Sequence, residues 1–148
     1  MKKLSSLLLL ITLFITSCSK EEINVAKKLE GRWLEQETKL MIYADTSKYL
    51  NPEDFVHYIV FTDVKYNKGF YHYEIPSLEE DINTGKAILT TNFWSSEKTA
   101  FRITDEGRTI EMKSNNDFSP VEMNLDENIL TLGLSHSPDL TQQVYIKE

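Results

Sequence analysis

The chain has 148 residues, 23 of them acidic against 16 basic, and a formal charge of −7 at pH 7. That balance argues against a nucleic-acid partner, because such binding is dominated by cationic contacts to phosphate. The single cysteine, Cys18, excludes an internal disulfide.

The chain opens on MKKLSSLLLLITLFITSCSKEE. Lys2 and Lys3 form a basic start, Leu7 to Ile15 is apolar but for Thr12, and small residues follow. The run is too short to span a bilayer, which needs about 20 apolar residues. These are the parts of an export signal over 1–17. Ile15-Thr16-Ser17-Cys18 resembles the lipobox of bacterial lipoproteins: an aliphatic residue, two small residues, then cysteine. The resemblance implies that Cys18 is thioether-linked to diacylglycerol, becomes the first residue of the mature protein, and is then usually N-acylated, with palmitate as an expected acyl chain. The alternative is an ordinary secretory signal with a stray cysteine. Ser19-Lys20-Glu21-Glu22 is similar to the export tag of surface-exposed lipoproteins; as a bare sequence it also suits a charged tether. The expectation is a tether over 18–24 and a protein lipid-anchored at the outer membrane, facing the surface in preference to the periplasm.

Loss of 1–17 leaves 131 residues and takes the formal charge from −7 to −9. That length makes one domain, expected over 25–148. Ile23 to Leu29 suits a short helical turn, with Val25, Ala26 and Leu29 as its apolar face. Beyond it, β-branched and aromatic runs recur between turn signals, predicting strands at Arg32–Ile42, Phe55–Thr62, Gly69–Ile75, Lys86–Trp94, Thr99–Thr104, Arg108–Lys113, Val121–Leu125, Ile129–Leu134 and Gln142–Lys147. Val121-Glu122-Met123-Asn124-Leu125 alternates as a half-buried strand should. Asn83-Thr84-Gly85, Asp105-Glu106-Gly107 and Asp126-Glu127-Asn128 read as turns, and Ala44–Asp54 and Pro76–Asn83 as the longest irregular pieces. The prediction is an all-β fold: a single antiparallel up-and-down barrel of eight or nine strands after a short helical turn, with a sandwich as the alternative.

Leu29-Glu30-Gly31-Arg32-Trp33 places a Gly-x-Trp at the start of the first strand. This resembles the N-terminal signature of lipocalins, and more closely the lipocalin-like domains of secreted bacterial lipoproteins. Phe101-Arg102-Ile103-Thr104-Asp105-Glu106-Gly107, Thr109-Ile110-Glu111-Met112 and the final Val144-Tyr145-Ile146-Lys147 look like those domains too. The resemblance implies that Gly31 turns the chain and Trp33 plugs the closed end of a barrel. Lipocalins stack an arginine from the last strand on that tryptophan; here no arginine follows Arg108, and Lys147 is the cation in that stretch.

Chemistry is sparse. His57, His72 and His136 show no zinc-ligand spacing, and no metal or cofactor is expected. His72 and Glu74 share a strand face, read as solvated. Asp81-Ile82-Asn83-Thr84-Gly85 lacks the later ligands of a calcium loop and reads as a plain turn. With no Gly-x-Ser-x-Gly and no phosphate-cradling loop, the expectation is a protein that is not an enzyme. Between positions 55 and 73 lie seven of the sixteen aromatics, with His57 and His72 among them. If the two strands there pair, tyrosines face both sides. His57, Tyr58, Tyr71 and Tyr73 are the candidate ligand contacts, against plain cross-strand aromatic packing. The expected function is binding of a small hydrophobic or amphipathic ligand by a monomer. The alternative is a filled barrel whose outer surface meets another protein or a glycan. Leu89, Phe93, Phe101, Ile103, Met112 and Met123 on inward positions would favour filling.

Overall fold

A computed structural model describes residues 19–36, 56–133 and 142–148. Cys18 and the expected loop Ala44–Asp54 lie outside the described residues.

Helix α1 runs Lys20–Leu29, starting three residues before the expected Ile23 and taking in most of the stretch expected to be tether. The reason is local. Ser19 and Glu22 form a capping box, the Glu22 N–H donating to Ser19 Oγ at 3.1 Å and the Ser19 N–H to Glu22 Oε2 at 3.2 Å. Glu21 and Glu22 sit in the first turn and Lys27 and Lys28 in the last, each matched to the helix dipole. Ala26 and Leu29 are fully buried.

Nine strands follow among the described residues: β1 Gly31–Glu35, β2 Tyr58–Lys65, β3 Lys68–Glu80, β4 Ala87–Ser95, β5 Thr99–Thr104, β6 Thr109–Ser114, β7 Asp117–Asp126, β8 Ile129–Gly133 and β9 Gln143–Lys147. All pairings are antiparallel. β1 pairs with β2 on one edge and β9 on the other, and β2 pairs with β3, so eight strands close into a barrel and β4 is an extra strand. The predicted antiparallel β-barrel after a short helix is the fold observed.

β4 and β5 follow one another along the same edge of β3, opposite Glu74–Glu80 and Lys68–Tyr71 respectively. Ser96 bridges the break. Its N–H donates to the Tyr73 carbonyl and its hydroxyl accepts from the Tyr73 N–H, both at 2.9 Å. The β3–β4 pair thus runs on past the first residue of β2 as an arm. Here the expectation of an irregular Pro76–Asn83 is corrected, since Pro76–Glu80 is strand. Pro76 has no N–H for the ladder, and the register shifts between it and Leu78, which is how a sheet tolerates proline. Beyond it, Asp81 holds the turn through Oδ1 to the Asn83 N–H (2.9 Å) and Oδ2 to the Thr84 hydroxyl (2.8 Å).

α1 covers one end of the barrel. It packs on β2, β5 and the turn Asp105–Gly107. Gly107, at φ +89°, has no room for a side chain, because a Cβ there would lie 2.7 Å from Val25 Cγ2 of the helix. Gly31, at φ +128°, turns the chain from α1 into β1. Trp33 is fully buried at this end, and its Nε1–H donates to the Leu29 carbonyl at 2.7 Å. The Lys147 ammonium stands 5.3 Å from the Trp33 ring and donates to the Lys28 carbonyl at 2.7 Å, so a lysine occupies the place over the tryptophan. Ile59, Phe61, Phe101, Ile103, Ile110 and Leu130 complete a dry floor, each side chain worth about 1.5–3 kcal/mol on burial.

Candidate binding site at the mouth of the barrel

The end away from α1 is built differently. Side chains alternate across a strand, so the positions that follow the floor residues along each strand also point inward. Trp33 on β1 is followed by Glu35; Ile59 on β2 is preceded by His57; Phe61 and Ile59 face Tyr71 and Tyr73 on β3. Glu35 is paired with Tyr145 of β9. Above the apolar floor, the barrel therefore carries a carboxylate, an imidazole and three phenols.

These groups touch. His57 Nδ1 and Glu35 Oε2 are 2.5 Å apart, and the backbone reinforces the pair through the Glu35 N–H donating to the His57 carbonyl at 2.9 Å. Their side chains are only 22% and 10% exposed. The His57 ring stacks on Tyr73 (centroids 5.1 Å apart), and Tyr73 meets Tyr71 edge-on at 5.8 Å. The Tyr71 hydroxyl donates to the Lys113 carbonyl at 3.3 Å and the Tyr145 hydroxyl to Gln143 Oε1 at 3.2 Å. Burial pushes the Tyr73 phenol up to about 12, helped by the charges of Tyr71 and Glu35. Burial also raises Tyr145, again with help from Glu35, and raises Tyr71. All three phenols stay neutral across the physiological range.

Of the four candidates read from sequence, the structure brings His57, Tyr71 and Tyr73 together inside the barrel and leaves Tyr58 on the opposite face. Tyr58 lies under the Arg32 guanidinium, 3.6 Å from its ring centre, with Phe93 against its edge. Its hydroxyl donates to Glu148 at 3.1 Å, and burial followed by that hydrogen bond raises its pKa. Arg32 also pairs with Glu74 at 2.9 Å. His72, expected on a solvated face, is only 9% exposed, with its Nε2 3.3 Å from Glu74 Oε1. This outer cluster ties β1, β2, β3 and the C-terminus together.

Glu35 and Tyr145 were not singled out from sequence. Glu35 was within reach, because a residue two along from an inward Trp33 must also point inward. Tyr145 had no such signal beyond its strand. Of the six bulky residues weighed for filling, Phe101, Ile103, Met112 and Met123 do point into the barrel, while Leu89 and Phe93 belong to β4, outside it. A groove of about 460 Å³ lies on the outer wall, lined among others by Arg108, Glu122, Asn124, Thr131 and Gln142. It is separate from the interior cluster. Among the described residues no group of three or more His, Cys, Asp or Glu could hold a metal ion.

The fold and site define a closed eight-stranded antiparallel barrel with an extra strand, capped by a helix, dry at the capped end and polar at the other. No family model, curated protein or solved structure matches the chain.

Proposed function

We propose that this chain is a lipid-anchored, lipocalin-like binding protein of a bacterial outer membrane, attached through Cys18, that takes a small amphipathic molecule at the mouth of its barrel. The observation that carries the reading is the layering inside the barrel. A polar, hydrogen-bonding ring of Glu35, His57, Tyr71, Tyr73 and Tyr145 stands over an apolar floor. Sites for small molecules combine apolar walls with a few placed polar groups in this way. The filled floor confines a ligand to the upper half of the barrel, so the ligand is small. The protein acts as a monomer and by binding, without a reaction.

The anchor is tested by mass spectrometry of the membrane-fraction protein with and without Cys18→Ala. A mature N-terminus at a lipid-modified Cys18 supports anchoring, and an unmodified N-terminus elsewhere overturns it. The binding reading is tested on the anchored protein in lipid nanodiscs, titrated with medium-chain fatty acid, fatty alcohol, alkylammonium and retinoid probes against empty discs. Saturable binding that Tyr71→Ala weakens supports it. No saturable binding of any amphiphile, with Tyr71→Ala lowering only stability, overturns it.

One observation favours a second reading, an interaction module facing a protein or glycan. The β3–β4 arm exposes Ile82 (97%), Trp94 (57%), Leu78 and Phe93, and aromatic side chains of this kind are enriched at protein interfaces. Loss of a partner on Trp94→Ala, with ligand binding intact, would favour this reading.

A further inference from the structure

The hydrogen bonds at the mouth leave it rich in acceptors. The Tyr71 and Tyr145 hydroxyl protons are already given to the Lys113 carbonyl and to Gln143 Oε1, so both oxygens are left to act as acceptors. Glu35 uses Oε2 on His57, and its Oε1 accepts nothing among the described residues. The Tyr73 hydroxyl, also without a partner among them, keeps its lone pairs and is the one phenol there with a proton still to give. Around these acceptors stand the rings of Tyr71 and Tyr73, joined edge to face, with His57 stacked on the second. His57 is engaged with Glu35 through Nδ1, and among the described residues no lysine or arginine pairs with Glu35. Lys147 is at the opposite end, held against Trp33 and the Lys28 carbonyl, and Lys113 meets Tyr71 through its backbone carbonyl.

A carboxylate, spare lone pairs and aromatic faces form the environment that an ammonium group needs. Such a group brings three donors and no acceptor, and it is drawn to the negative faces of phenol rings. A fatty-acid carboxylate in the same place would meet Glu35 with like charge and find few donors. We propose that the mouth selects the head group of its ligand, taking a primary or quaternary ammonium carried on a short apolar chain, with Glu35 as the counter-ion. This rests on the reading that the barrel mouth binds an amphiphile, and specifies its class.

The test keeps the chain constant and varies the head. Anchored protein in nanodiscs is titrated calorimetrically with hexylamine, hexyltrimethylammonium, hexanol and hexanoate, with empty discs subtracted. The expected result is that both cations bind at least about tenfold more tightly than hexanoate, and that Glu35→Gln erases this preference. Glu122→Gln, on the exposed outer wall, retains it. Circular dichroism and the thermal midpoint show whether Glu35→Gln keeps the fold; should it not, the raw preference and its loss at high ionic strength decide instead. Binding of hexanol or hexanoate as tight as that of the cations overturns the inference and leaves the binding reading standing. So does a preference that a folded Glu35→Gln retains. If none of the four binds, both fall together.

Discussion

The two ends of the barrel are made by the same strands and differ in almost everything else. At the capped end, Trp33, Phe61 and Phe101 interlock beneath α1, Phe61 and Phe101 meeting edge to face at 5.2 Å. Two residues further along the same strands, Trp33 gives way to Glu35 and Ile59 to His57, and the interior becomes ionisable. The lesson concerns where stability is concentrated. The floor is held by apolar area and close packing, and the mouth by pairwise polar contacts whose net worth is small. A fold that is secure at one end is free to place costly groups at the other.

That contrast predicts its own tests. The largest effect is expected at the floor: Trp33→Ala removes the biggest fully buried side chain, its hydrogen bond to Leu29 and the ring beneath Lys147. A loss of about 3–5 kcal/mol is expected by urea denaturation. A loss below about 1 kcal/mol would mean that the floor is not the stabilising layer. By contrast, Tyr73→Phe at the mouth deletes a hydroxyl without a partner among the described residues, and is expected to change stability at pH 7 by no more than about 0.5 kcal/mol.

The same substitution sharpens the comparison at high pH. Tyr73 holds its proton to about 12 in the folded barrel against 10.0 ordinarily. Its contribution is complete below pH 10 and is lost as pH rises from there through 12, because the unfolded chain ionises first. Two pH units correspond to about 2.7 kcal/mol. Denaturation series between pH 9 and 12 should show a steep fall that Tyr73→Phe makes shallower. Equal slopes in the two proteins would show that Tyr73 is not the buried phenol responsible.

A modest effect, confined to the helix, is expected at the start of the cap. Ser19→Ala removes one half of the capping box and should cost about 1 kcal/mol, with helicity lost from the first turn and the barrel's near-UV signal retained. A collapse of the whole fold would mean that α1 is integral to closing the barrel and does not merely cover it.

Much of this molecule was legible before its structure. The strand at Thr99–Thr104 lies where it was expected and Val121–Leu125 falls inside β7, which begins four residues earlier at Asp117, because period-two patterning is a local consequence of burying one face. The start of α1 was legible too, in Ser19-x-x-Glu22, although charge made those residues read as tether. Pro76 and the run Leu78-Glu79-Glu80 hid the far half of β3, because an arm standing outside a barrel has no reason to alternate cleanly.

The sequence by itself determined an acidic, single-cysteine chain, its recurring strands and turns, and the Gly31-x-Trp33 turn into the first strand. These follow from composition, local conformational preference and the spacing of apolar residues. Only the tertiary structure decided which face of each strand is inside. That choice separates Tyr58 from His57, Tyr71 and Tyr73, gathers Glu35 and Tyr145 with the latter three, and sets Lys147 over Trp33. The physical reason is that alternation states only that two faces differ. Which of them is buried depends on the closure of β1 against β9, which pairs residues more than a hundred positions apart in the chain.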